Sequence, residues 1–181
     1  MADKTKKKWY SIVSPTLRNA VIGETLAYED KSLENRRLDV NLMSITNEPK
    51  SQNVKVLLKV DEVKDNKAIA SVIGYGLTLS YIKRLIRKEA NKIVDSFEYL
   101  TKDNVKVVIK PFMITRHKTN KNVLSDIRKK AREFLAEETK KYDYNELVNI
   151  IVSNSLQRSL REKVSKIYPL SSCEFRIVKR V

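Results

Sequence analysis

The stretch 54–77, VKVLLKVDEVKDNKAIASVIGYGL, limits the fold more tightly than any other. Apolar residues recur through both of its halves, many of them valine or isoleucine, and Lys64, Asp65 and Asn66 separate the two runs. β-Branched side chains fit a pleated surface, and a short polar break between two such runs reads as a hairpin. At Thr78 the period changes. Ile82, Leu85, Ile86 and Ala90 recur at helical spacing, which predicts a helix capped by Thr78 or Ser80 and ending near Asn91. Hairpin followed by helix already rules out an all-helical bundle.

The remaining elements follow the same logic. Residues 9–14 predict a strand ended by Pro15, and 21–28 a second with Gly23 as a bulge or a point of close approach. Residues 29–35 read as a turn or short helix. Residues 36–45 alternate as a strand that slips in phase at Met43 and Ile45, and a loop follows over 46–53. Two strands are expected within 92–114 around the turn 101–104, with Pro111 marking an end or an edge. The last third is helical: one helix over 122–139, a second from Asp143 with Glu146 at capping-box spacing, and a third carrying Leu156, Leu160, Val164 and Ile167 before Pro169. Residues 173–181 close as a strand. The expected class is α+β: a mostly antiparallel β-barrel or curled sheet with several helices packed on one side, three of them toward the C-terminus. Residues 1–8 read as a basic disordered arm and 9–181 as a single α+β domain.

Charge narrows the function. Thirty-seven Lys and Arg against 22 Asp and Glu give +15, so the chain repels itself and attracts polyanions. Catalytic constellations are missing. A structural zinc site needs four Cys or His ligands, and this chain has one of each, 56 positions apart. His117, between Arg116 and Lys118, suits hydrogen bonding or stacking better than proton abstraction. Gly74 and Gly76 lack the third glycine of a dinucleotide fingerprint, and Leu79 stands in its place. No metal, cofactor or enzymatic activity is expected. No long uncharged apolar run and no secretory signal are present either, so a cytoplasmic protein without a membrane contact is expected.

The basic residues are grouped. Val123, Leu124, Ile127, Ala131, Phe134 and Leu135 share about 120° of arc on the helix 122–139. Arg128, Lys129 and Arg132 flank that stripe on one side, and acids flank it on the other. Upstream, Arg116, His117, Lys118, Thr119 and Lys121 form a polar loop that feeds a helix N-terminus, where free N–H groups suit phosphate. Between Arg116 and Arg132 stand seven Lys or Arg and one acid, Asp126. Lys83, Arg84, Arg87 and Lys88 repeat the design on the helix after Thr78. Lys4, Lys6, Lys7 and Lys8 form a basic arm, and Arg176, Lys179 and Arg180 a basic closing strand. Trp9 is a candidate for base stacking or for a core anchor. No helix-turn-helix or zinc module suggests DNA, and a basic, sheet-rich domain suits folded RNA.

Six segments in this order resemble the S-three-a-e family of archaeal and eukaryotic small-subunit ribosomal proteins: KKKWYSIVSP, VIGETL, RRLDVNL, GYGLTLSYIKRLIRK, IKPFMITRHKTNKNVLSDIRKKAREFLAEE and IYPLSSCEFRIVKRV. Two positions depart from the pattern: Asn35 stands where glycine is expected, and Asn120 where serine is usual. The eukaryotic C-terminal extension is missing, which points to the archaeal type. The resemblance implies a non-enzymatic ribosome component with a β-barrel core and attached helices. It implies a place on the small-subunit platform, near the mRNA exit. It implies contacts to small-subunit rRNA and neighbouring platform proteins, with mRNA near the exit as a further partner. A membrane, DNA or a second copy of the chain is not an expected partner. The segment from Ile114 to Lys130 and the N-terminal lysines would then face RNA, and Arg36 and Arg37 are further RNA-binding candidates. A free-standing RNA regulator or chaperone is the alternative.

Overall fold

The computed structural model describes residues 6–17 and 20–181, so Lys4 and most of the expected arm lie outside the described residues. The chain divides into two compact units, Met1–Gly74 and Tyr75–Val181.

The first unit is a small sheet. Strand β1 (Lys8–Ser14) pairs antiparallel with β2 (Ala20–Ala27). Ile12 stands opposite Gly23 and Val13 opposite Val21, so Ile22 is an extra residue beside Gly23 and the expected bulge forms there. A helical turn at Asp30–Ser32 leads to β3 (Arg37–Asn41), which pairs with β4 (Val54–Lys64). β4 returns as β5 (Lys67–Leu77) through Asp65 and Asn66, both at positive φ, the backbone of a two-residue hairpin turn with the twist of the strands. β1 lies parallel to the start of β5, with Ser11 opposite Lys67. Alternation does the rest: Val54, Val56, Leu58 and Val60 all point into the core, as do Ala68, Ala70 and Val72.

Two local findings in this unit come from asparagine. The expected strand over 36–45 stops at Asn41, whose side chain accepts the N–H of Met43 at 3.0 Å and starts helix α1 (Leu42–Thr46). The phase slip at Met43 is therefore a helix start, driven by a local side-chain cap. Asn35 has φ 62°, and its N–H donates to the Val60 carbonyl at 2.9 Å. The position is left-handed, which suits glycine best, and asparagine is the residue that takes it with least strain otherwise. Asn35→Val is expected to lower unfolding free energy by about 1–2 kcal/mol, with Asn35→Gly close to neutral, in urea denaturation. Equal effects from both variants would refute a backbone origin.

The second unit opens on the last residues of β5, which run beside β9 (Leu170–Arg180); a Cβ on Gly76 would meet the Arg176 carbonyl at an ordinary 3.8 Å. Both glycines of the GYG string lie within β5, and no described glycine has positive φ, so they make no turn. Helix α2 (Leu79–Leu85) sets Ile82 and Leu85 on Phe112 and Ile114 of β8 (Lys106–Thr115). The chain then leaves the helix at Ile86, with ψ 128°, instead of near Asn91. Tertiary pairing overrides helical spacing here: β6 (Lys92–Val94) pairs with β8, and Ala90 packs on the same cluster from outside any helix.

β7 (Phe97–Leu100) pairs with the start of β8, so 92–114 holds three strands where two are expected. Pro111 lies inside β8, not at its end, but at a local edge: β7 pairs only as far as Ile109 and β6 only from Phe112. It sits at a register break against β9, between the β7-paired and β6-paired parts of the strand, where no ladder N–H is missed. Phe112, Met113 and Ile114 are all buried although successive residues point to opposite faces, so this half of β8 is covered on both.

Helices α3 (Lys121–Thr139), α4 (Tyr144–Val152) and α5 (Ser155–Ser165) complete the unit. α3 buries the expected stripe at Ile127, Ala131, Phe134 and Leu135; α5 buries Leu156, Leu160 and Val164 against β9 and α3. Asp143 and Glu146 form the expected capping box. Among the described residues there are nine strands and five α-helices, and the strand order is an open path with β2 and β6 at its ends. The mixed α+β class with three C-terminal helices is what forms, but the sheet does not close into a barrel. No helix of the described residues is long and apolar enough to cross a membrane.

Candidate nucleic-acid interface

One place in the second unit gathers basic residues from separate parts of the sequence. The register of β6 on β8 sets Lys92 opposite Ile114, so the turn before β6 lies beside the loop after β8. Buried Thr115 locks the two together. Its hydroxyl accepts the N–H of Asn91 at 2.8 Å and donates to the carbonyl of His117 at 2.7 Å. Asn91 closes the lock from its side, accepting the N–H of Thr119 on Oδ1 at 2.7 Å. The Arg116 N–H donates to the Pro169 carbonyl at 3.0 Å. A polar loop that would otherwise be mobile is thus held at several backbone points.

This scaffold turns side chains outward. Arg87, Lys88, Glu89, Ala90, Arg116 and His117 line an open concavity of about 360 Å³. Arg87, Lys88, Arg116, His117 and Lys118 are all exposed, and Thr119 is half-buried. Four of the concavity's polar side chains are basic or imidazole and one is acidic. α3 begins just beyond, with exposed Lys121 and no side-chain cap from Asn120, so its first N–H groups are open to an acceptor. Planar guanidinium groups fixed on a stiff backbone are suited to phosphate oxygens. Asn91 and Thr115, which position this loop, carry no signal of their own in the sequence. Their importance comes from the strand register.

The other sequence candidates lie elsewhere. Lys83 and Arg84 are exposed in the last turn of α2, Arg84 with its guanidinium 5.8 Å from the centre of the Tyr81 ring. Arg128 does not face away from acids: its Nε lies 3.5 Å from Asp95 Oδ2, an acid on the β6–β7 connection that the helix wheel leaves out. Arg132 lies over the ring of buried Phe97 at 5.1 Å, and Lys129 is exposed. Arg176 is half-buried; Lys179 and Arg180 are exposed, with Arg180 5.8 Å over Tyr144.

In the first unit, Arg36 Nη1 donates to Thr25 Oγ1 at 2.7 Å, and Arg37 is exposed on β3. Lys6, Lys7, Lys8 and Trp9 are exposed, with Lys8 the first residue of β1 and not part of an arm. Tyr10, next to Trp9, is buried, and its hydroxyl donates to Asp30 at 2.6 Å.

Cys173 is buried, and desolvation with the Glu174 charge beside it pushes its thiol up to about 12, so the reactive thiolate is scarce at neutral pH. His117 is exposed on the loop. Among the described residues no group of three or more His, Cys, Asp or Glu is placed to hold a metal.

Comparison with known proteins agrees with this picture. The Ribosomal S3Ae family pattern matches residues 2–181. The chain is similar to the small ribosomal subunit protein eS1 of Nanoarchaeum equitans, 31% identical over 93% of this chain and 85% of the relative. It is 32% identical to the protein of that name from Staphylothermus marinus, over 95% of this chain and 82% of the relative. With that of Saccharolobus islandicus it shares 28% over 98% and 86%. A family match along nearly the whole length, with relatives about 30% identical over most of the chain, makes the assignment: the chain belongs to the Ribosomal S3Ae family, which is a family of ribosomal structural proteins and not of enzymes.

Proposed function

We propose that the chain is a structural constituent of the small ribosomal subunit that grips rRNA on the platform near the mRNA exit. The observation that carries the rRNA grip is the concavity where Arg87, Lys88, Arg116 and His117 converge on a loop held by Thr115 and Asn91. The mechanism is charge neutralisation with shape complementarity: the exposed guanidinium groups of Arg87 and Arg116 meet phosphate oxygens, and a net charge of +15 raises the local concentration of RNA. Lys118, Lys121 and Lys129 extend the same surface along the start of α3. The relatives' names support the ribosomal part of this reading. The platform position rests on the family resemblance, as do contacts with neighbouring platform proteins and with mRNA near the exit. The same reading makes the protein cytoplasmic and ribosome-bound.

Sedimentation tests it. A tagged chain in cell extract at low magnesium, with salt raised stepwise, is expected to travel with the small subunit at about one copy and to leave only at high salt. A chain spread across RNAs of all sizes is instead a free-standing RNA regulator or chaperone. A second measurement reads the mechanism. If about six phosphates are neutralised, log K for purified small-subunit rRNA falls with log salt at a slope of roughly −4 to −5. A slope near zero would remove the electrostatic grip.

A further inference from the structure

The outer face of β1 and β2, in the first unit, carries an aromatic surface that phosphate binding does not use. Trp9 is 61% exposed and Tyr28 54% exposed. Trp9 stands directly across from Leu26, which is 38% exposed, and Lys7 Nζ lies 5.2 Å from the centre of the Tyr28 ring. Alternation explains the placement. Tyr10 turns inward to 1% exposure, so Trp9 on the preceding residue must turn outward. A core anchor is thereby excluded for Trp9. The largest apolar side chain type is left in water beside two further apolar groups, and such a patch marks a binding surface.

We propose that this face is a stacking platform for unpaired RNA bases; it rests on the reading that the chain binds rRNA. The exposed rings, with Lys7 beside them, decide the occupant. Lys7 lies over the Tyr28 ring on the Trp9 face, and its neighbours Lys6 and Lys8 are exposed as well, so the patch is two exposed rings with a lysine beside them. Single-stranded RNA offers both complements: a phosphate for each lysine and an open π-face for each ring. Duplex RNA hides its base faces and would leave Trp9 and Tyr28 unused. Exposed Glu24 shares this face, and Glu29 and Asp30 follow Tyr28, with Asp30 accepting the Tyr10 hydroxyl at 2.6 Å, so the open rings carry the recognition more than net charge does. The stacking is sequence-tolerant, because every base has a π-face.

Trp9 is the only tryptophan, so its fluorescence reports on this face alone. The full chain is titrated with an eight-residue oligouridylate and, separately, with a duplex RNA of equal charge. The single strand is expected to quench Trp9 strongly and the duplex hardly at all. Trp9→Ala should weaken single-strand binding about tenfold and Tyr28→Ala about fivefold, with Trp9→Phe retaining most of it. The melting temperature of each variant should stay near that of the parent chain, because these side chains are exposed. Binding of both RNAs without quenching, and without an effect of Trp9→Ala, overturns the stacking platform and leaves the phosphate grip standing. Binding of neither RNA overturns both. Unchanged RNA affinity in Trp9→Ala with loss of the chain from the small subunit makes the patch a protein-docking surface and also overturns the proposal.

Discussion

Arg87→Glu with Arg116→Glu is expected to weaken binding to small-subunit rRNA about 100-fold at physiological salt. Each reversal removes an attraction to phosphate and adds a repulsion, so two substitutions act as four unfavourable changes. The salt slope should flatten by about 2, one unit for each lost phosphate contact. Both side chains are exposed and line an open concavity, so the fold is not asked to give up a packed group. The melting temperature should therefore hold. Arg87→Lys with Arg116→Lys keeps the charge and loses only the planar fork, and is expected to bind within about fivefold of the parent. Filter binding at three salt concentrations reads affinity and slope together. Unchanged affinity in the double glutamate variant would show that RNA does not enter the concavity. A parallel fall in melting temperature would show that the arginines hold the fold.

Arg128 and Arg132 make the contrast. The helix wheel places them on a basic flank, and on α3 alone that is where they are. The structure adds partners from other elements: Asp95, half-buried, beside Arg128, and the Phe97 ring beneath Arg132. A glutamate at 128 would face Asp95, so this position is part of the unit's own electrostatics. A pattern within one helix cannot reveal what a neighbouring strand connection brings to it.

That difference runs through the whole chain. The hairpin 54–77 is legible because a period of two and an Asp-Asn turn point to the same structure. The stripe on α3 is legible because a long helix averages out local exceptions. Short elements fail where non-local pairing competes with local spacing. Ile86 and Ala90 continue a helical pattern, yet the chain turns extended at Ile86 so that β6 can pair with β8. Pro111 carries an edge signal, yet the edge is a local gap in mid-strand, after the last β7 pair at Ile109 and before the first β6 pair at Phe112. The candidate site divides the same way. Arg116, His117 and Lys118 stand out as a charge run, and Arg87 as part of a helix it does not belong to. Their convergence depends on Asn91 and Thr115, and a hydrogen bond between residues 24 apart has no local pattern.

Phe112→Ala tests that dependence through packing. Phe112 is 1% exposed and joins Ile82 and Ile114 in the cluster that seats α2 on β8. Removing a fully buried aromatic ring costs about 3–5 kcal/mol, because transfer free energy is lost and the cavity collapses only in part. That is comparable to the whole stability of many small domains, so a large fall in the denaturation midpoint is expected. Phe112→Leu, which keeps much of the volume, should cost about 1–1.5 kcal/mol. The informative comparison is RNA affinity below the melting transition. The basic turn at Arg87 is held partly by Ala90 on this cluster and partly by the hydrogen bonds of Thr115. If packing dominates, Phe112→Ala lowers affinity even where the chain is still folded, and Thr115→Val leaves it nearly intact. If the hydrogen-bonded lock dominates, the order reverses: Thr115→Val leaves the half-buried Asn91 N–H without its acceptor and loosens the loop, while Phe112→Ala costs stability and spares binding until the fold is lost. The short distances around Thr115, 2.7 and 2.8 Å, favour the lock.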